Sequence, residues 1–271
     1  MKLYENKKLY TFGCSFTHYD WITWADILAK EFANFQNWAQ SGGCNSFIYN
    51  SVVECIHRNP PGGNDVYCIM WTGVTRMSWY QDGFWVTPGN IFSQPKIPKD
   101  LVKKYWSDFK WYQMRDYALI YGIKTILESL GIEYYFMSMA DFLQLEQYRS
   151  AKSTEPRVQQ LYKPQSYVRP SVIDVVYDGD FDKYLKTNPP ARQTDLYCSQ
   201  VHRPDQHWAI RKPLRRDMHP FPQEHLDYIT KVIPEYTVSD STRMWVEQQN
   251  QLLLQGEYIV HSHHHSAPRR F

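Results

Sequence analysis

The strongest pattern in the chain is an apolar run that has lost its alternation: Val66, Tyr67, Cys68, Ile69, Met70 and Trp71 follow one another without a polar break. A strand covered on both faces reads this way, so Asp65–Trp71 is predicted as a central strand of a parallel sheet. A second buried strand runs from Leu9 to Phe12, after the charge at Lys8, and leaves through Gly13-Cys14-Ser15 into a tight turn. Trp24, Ile27, Leu28, Ala29 and Phe32 then recur at helical intervals, with Asp26, Lys30 and Glu31 between them, which predicts an amphipathic helix over 24–35. A short strand over 34–39 runs into a small-residue loop over 40–46. Helical spacing resumes over 47–56 until Asn59-Pro60-Pro61-Gly62-Gly63-Asn64 breaks it.

Beyond Trp71 the loop Thr72-Gly73-Val74-Thr75-Arg76 closes the third strand. Glycine, proline and aromatic residues over 81–100 predict a short hairpin or a loop above the strand ends. Residues 101–130 read as one long helix or two broken ones, and 132–139 as a fourth strand entered through Gly131. The alternation of strands and helices predicts an α/β fold with a doubly wound parallel sheet. Over 145–216 the periodicity fades and prolines recur, which marks an elaborated insertion with 180–185 as its best short helix. A helix over 220–233 and a final amphipathic helix over 240–255 follow, and then a tail. The expected organisation is one α/β domain over 1–239, with the insertion inside it, and a C-terminal helix and tail over 240–271.

Composition narrows the function classes. A chain of 271 residues can bury one full core, and a net charge of +2 gives no global electrostatic case for nucleic acid. Arg203, Arg211, Lys212, Arg215 and Arg216 stand against the single acid Asp205. A solvated basic face is the commoner meaning of such a cluster, and its adjacency to His219 keeps an anionic substrate in view. No nucleic-acid module accompanies it. Five cysteines without Cys-x-x-Cys spacing suggest neither a disulfide framework nor a zinc site. His261, His263, His264 and His265 lie near the terminus at spacings that do not suit one helix face, so no metal or cofactor is expected. The first residues lack the apolar segment of a signal peptide, and no run is long and apolar enough to span a membrane; synthesis in the cytoplasm and no membrane partner are the expectations.

The candidate chemistry lies in the loops. Three predicted strands end in loops of Gly, Ser, Thr or Asn, and in a parallel sheet all three lie on one edge, where ligand crevices form. Ser15 sits in the first loop. Most serines in Gly-x-Ser turns merely hydrogen-bond the backbone; what raises Ser15 above them is Arg216-Asp217-Met218-His219-Pro220, which offers a base and an acid able to orient it. His225, inside the next helix, reads as a packing residue.

The three loops and the late Asp-x-His-Pro together resemble the SGNH (GDSL-like) hydrolase superfamily, and more closely the divergent SGNH-like proteins of tailed bacteriophages. The resemblance covers the α/β core but not the insertion or the tail, and it implies a flavodoxin-like three-layer α/β/α fold. Gly13-Cys14-Ser15-Phe16 stands where the family has Gly-Asp-Ser-Leu, which makes Ser15 the implied nucleophile and its N–H one oxyanion donor. Gly42 in Ser41-Gly42-Gly43-Cys44-Asn45 is similar to the second block's glycine, with Gly43 the fallback. His219 resembles the catalytic base and Asp217 its orienting acid. Two departures stand out: Asp217-x-His219 replaces Asp-x-x-His, and Gly73-Val74-Thr75-Arg76 replaces Gly-x-Asn-Asp, which removes the amide that completes the oxyanion hole. Thr75 or Arg76 are the candidates to take its place.

Two readings follow. In the first the chain is a serine esterase or deacetylase, acting on an ester or an acetylated glycan, with Phe84, Trp85 and Arg216 as substrate-binding candidates. In the second it is a non-catalytic structural or host-adsorption protein of a virus particle, keeping the scaffold and contacting other virion proteins through 240–271.

Overall fold

The structure is a computed structural model in which residues 2–91, 97–106, 108–141, 160–179, 197–198, 212–213 and 219–255 are described. Strand β1 (Tyr4–Phe12) leads to helix α1 (Trp24–Ala29), β2 (Phe32–Asn37), α2 (Asn45–Arg58) and β3 (Asp65–Trp71). A hairpin of β4 (Arg76–Gln81) and β5 (Phe84–Asn90) precedes α3 (Lys99–Tyr105), α4 (Phe109–Ser129) and β6 (Glu133–Ser138). Then come α5 (Val172–Val176), the two-residue strands β7 (Tyr197–Cys198) and β8 (Lys212–Pro213), α6 (Pro222–Val232) and α7 (Asp240–Gln255).

The main sheet has the order β2-β1-β3-β6. Every pairing in it is parallel, with Leu9 opposite both Phe35 and Val66, and Val66 opposite Glu133. Crossing from β2 over β1 to β3 makes it doubly wound, with the first strand at the point where the order reverses. All seven residues of β3 are buried, as its unbroken apolar run requires. Successive side chains take opposite faces. Leu9, Val66, Cys68, Met70 and Met137 pack with α1, α5, α6 and α7, whereas Tyr10, Phe12, Tyr67, Ile69, Trp71 and Phe136 pack with α2, α3 and α4. The result is three layers, α/β/α, of the flavodoxin-like kind.

Helix α1 and the hairpin differ from the pattern read in the sequence. Helix α1 ends at Ala29 instead of continuing to 35: Lys30 and Glu31 close its last turn with bonds to Ile27 and Leu28, and Phe32, fully buried, already belongs to β2. The reason is tertiary, since the buried Glu31 carboxylate accepts from Ser239 N at 3.0 Å and Ser239 Oγ at 2.7 Å at the start of α7. The hairpin begins at Arg76, earlier than the 81–100 segment, and turns through Asp82-Gly83 with φ of 52° and 82°, the double positive φ of a type I′ turn. Of the two arrangements read for 101–130, the structure has the broken one, α3 and α4.

Helix α7 is fastened to the same core. Val246 joins the main cluster, Leu253 packs with Trp21 and Phe221, and Lys30 Nζ lies 4.2 Å from the Trp245 ring centre. The expected short helix over 180–185 and the histidine-rich tail lie outside the described residues. Among the described residues no helix is long and apolar enough to cross a membrane, and Cys14, Cys44, Cys55 and Cys68 are free and buried.

Candidate active site

β1, β2 and β3 run parallel, so the loops that leave their carboxyl ends share one edge of the sheet. The first loop folds back at once: Thr17 and His18 both donate their N–H to the Cys14 carbonyl, at 2.9 and 3.0 Å. A side chain at Gly13 would lie 2.0 Å from Thr17 Oγ1, so only glycine lets the turn close. Ser15 sits in this turn with 4% of its surface exposed. Asn37, buried at the end of β2, donates to the Thr17 carbonyl at 3.0 Å, and Thr23 Oγ1 donates to the same oxygen at 2.9 Å. The serine turn is therefore held from two other elements.

The second loop is tied to the first by Gln40 N donating to the Gly13 carbonyl at 3.2 Å. Gly42 has φ +78°, and a Cβ there would sit 2.1 Å from the Thr87 carbonyl oxygen of the hairpin. Glycine is required on both counts. Gly43 donates its N–H to Gln40 O at 2.9 Å, so of the two glycines weighed for an oxyanion amide, Gly43 has its donor committed to the turn. The hairpin is bolted to this loop: Thr87 Oγ1 donates to Ser41 O at 2.8 Å, Gln40 Nε2 donates to Thr87 Oγ1 at 2.9 Å, and Cys44 N donates to Ser78 Oγ at 3.2 Å.

In the third loop Thr75 is buried, and its carbonyl accepts from Ile91 N at 3.3 Å. Arg76 is half-buried, with Nη2 lying 3.8 Å from Met139 Sδ beyond the end of β6. The side chains that fix this loop were not singled out in the sequence. Asn45, the first residue of α2, accepts from Thr72 N at 2.8 Å and donates to Thr72 O at 3.0 Å and to Asp116 Oδ2 at 2.8 Å. Arg115 Nε donates to Asp116 Oδ1 at 2.6 Å, and its Nη2 reaches the carbonyls of Val74 and Arg76 at 3.3 and 3.4 Å. Burial drives the Asp116 carboxyl up from 3.8 to about 6, against the opposing pull of Arg115 and Asn45. One sequence signal was there: Asp116 occupies the stripe Tyr112, Asp116, Ile120, Ile123, Leu127 on the buried face of α4. An acid on an apolar stripe asks for a buried partner.

His219 reaches the same edge from far along the chain. Its ring stacks on Tyr19, with centroids 3.6 Å apart and planes 18° from parallel, and meets the edges of Phe16 at 5.4 Å and Trp21 at 6.4 Å. Trp21 Nε1 donates to the Pro220 carbonyl at 2.8 Å, which pins the segment just before α6. The imidazole thus contacts the residue that follows Ser15, although no hydrogen bond joins Ser15 and His219 in this structure. Asp217 and Arg216 lie outside the described residues. Phe84 and Trp85 take opposite faces of the hairpin: Trp85 packs edge-on against Phe47 and Tyr80, whereas Phe84, 49% exposed, shares its face with Trp79 and Gln81. Among the described residues no cluster of three His, Cys, Asp or Glu side chains stands ready for a metal ion.

No protein-family model matches the chain, and no curated protein matches it. Among solved structures it is similar to the YxiM protein of Bacillus subtilis, with 13% identity and a TM-score of 0.37 over 72% of this chain and 50% of that one. The chain thus spans half the length of that protein.

Proposed function

We propose that the chain is a serine ester hydrolase of the SGNH type. Ser15 is the nucleophile, His219 the base that takes its proton, and Asp217 the acid that orients the imidazole. The Ser15 and Gly42 amides hold the oxyanion, with Thr75 or Arg76 contributing from the third loop. Water then releases the acyl group from Ser15. The observation that carries this reading is the convergence of the serine turn and His219, which contacts Phe16, across about two hundred residues of chain. Free enzymes often hold such a pair more loosely than the bound state, so the missing Ser15 to His219 hydrogen bond is compatible with it.

The exposed rings of Trp79 and Phe84, with Gln81 beside them, support an acetylated glycan as substrate, because sugar faces pack on aromatic rings and a carboxamide can bond their hydroxyls. The hairpin is attached to the Gly42 loop through Thr87, which places this aromatic surface on an element that borders the candidate site. Arg216 is retained as a candidate contact for an anionic substrate.

The test is hydrolysis of p-nitrophenyl acetate, and then acetate release from O-acetylated glycans, by the wild type and by Ser15→Ala. Loss of turnover by about 10³-fold or more in the variant is expected. Equal rates in the two folded proteins would sink the proposal.

A second reading is favoured by one observation: both donors of the Asn45 amide are committed to Thr72 and Asp116, so Asn45 does not supply the amide that the third loop lacks. On this reading the scaffold serves a virus particle as a structural or adsorption protein that contacts other virion proteins through 240–271. A folded wild type inactive on every ester, which co-assembles with particle proteins and loses that assembly when exposed α7 positions such as Met244 are changed to charged residues, is its expected signature.

A further inference from the structure

A buried acid inside a core is costly to keep, since an apolar side chain of similar volume often serves stability as well or better. Asp116 is 1% exposed on the core stripe of α4, and both its oxygens are engaged: Oδ1 by Arg115 Nε and Oδ2 by Asn45 Nδ2. What these partners do with their remaining groups is the informative part. Asn45 closes a two-bond ring on Thr72, accepting its N–H and donating to its carbonyl, as a neighbouring strand would. Arg115 takes the carbonyls of Val74 and Arg76 and spreads its guanidinium over the rings of Trp111 and Tyr112, at 5.2 and 5.1 Å. The carboxylate is the one group that holds both. Through it the first, third and fifth residues of the loop 72–76 are fixed in a single arrangement by side chains of α2 and α4.

We infer that Asp116 is a positioning residue of the active site, which sets the third loop, and with it Thr75 and Arg76, through Asn45 and Arg115. The inference rests on the proposed hydrolase, and it assigns to that site a control point on α4, remote from all three loops in sequence. Asp116 touches no substrate; it acts by keeping the loop amides and side chains from wandering, and a misplacement on the order of 1 Å can cost about 10²-fold in rate.

The experiment compares the wild type with Asp116→Asn and Arg115→Lys. The first keeps the shape but offers a single acceptor oxygen. The second keeps the charge beside Asp116 and removes the fork that reaches Val74 and Arg76. For each, kcat and KM on p-nitrophenyl acetate are measured together with amide hydrogen exchange over 72–76 and thermal unfolding. Expected for both variants are a kcat lower by about 10- to 100-fold, a KM within about twofold, and exchange over 72–76 faster by about tenfold while β1 and β3 stay protected. A merely structural role predicts instead a loss that follows the unfolded fraction, with exchange raised throughout. Should Asp116→Asn fail to fold, Arg115→Lys decides alone. An unchanged kcat, or unchanged exchange over 72–76, overturns the inference while Ser15-dependent turnover in the wild type leaves the hydrolase standing. Absence of that turnover in a folded wild type overturns both.

Discussion

The two flanks of the candidate site are built on different physics. On the α2 and α4 side, directional polar bonds fix backbone groups: Asn45 on Thr72, Arg115 on Val74 and Arg76, Thr87 on Ser41. On the α1 and α6 side, the His219 ring meets three aromatic rings, and a hydrogen bond from Trp21 to Pro220 helps to anchor its segment. Oxyanion donors must point along fixed lines, and hydrogen bonds supply direction. A base that moves a proton between two atoms needs its ring plane held but some freedom within it, and stacking supplies that. The chain has spent a buried charge where direction matters and used rings where it does not.

The largest break in this contrast is expected from Gly42→Ala. The substitution meets both a positive φ and the Thr87 carbonyl, so the loop or the hairpin must move. A loss of about 3 kcal/mol or more, and a Tm lower by roughly 10 °C, should appear together with loss of turnover. A Tm and rate near those of the wild type would show that the hairpin does not fix this loop.

The next effect is one of pH and belongs to the polar flank. The folded Asp116 holds its proton up to about 6, whereas an ordinary aspartate releases it near 3.8. Between those values the folded state binds more protons than the unfolded one. Stability contributed by this carboxyl is therefore greatest below about pH 4 and falls as pH rises towards 6, by on the order of 3 kcal/mol in all. Denaturant titrations of the wild type and Asp116→Asn across pH 4 to 7 should show this slope only in the wild type. Parallel curves would mean that the buried carboxyl titrates as an exposed one.

The smallest expected effect tests the aromatic flank. Trp21→Phe keeps the ring that faces His219 and removes the donor to Pro220, at a cost of about 1 kcal/mol in stability. Turnover should fall severalfold as the His219 segment loosens, with KM little changed. If kcat is untouched, the Trp21 to Pro220 hydrogen bond is not what keeps the imidazole in place.

Much of the fold was legible because it is written in local periods. The unbroken run of Asp65–Trp71 became a strand buried on both faces, and the break at Pro60 and Pro61 follows the end of α2. The glycines needed at 13 and 42 could be read from their turns. That Gly43 gives its N–H to Gln40 was less accessible, because it depends on how the loop folds back on itself. The end of α1 escaped because Glu31 answers to Ser239 across the fold and not to its helical neighbours. Asn45, Arg115 and Asp116 escaped for the same reason: apart from the bond between the neighbours Arg115 and Asp116, their contacts join residues 27 to 71 positions apart, and no spacing rule reaches that far.

The sequence by itself determined the alternation of strands and helices, the parallel sheet and the serine turn, since each follows from side-chain period and from where glycine interrupts it. Only the tertiary structure decided that His219 meets that turn, that the hairpin seats on Gly42, and that a buried carboxylate governs the third loop. Hydrogen bonds and ring contacts between distant segments exist only once the core has packed, because burial is what makes an unpaired polar group costly and so selects its partner.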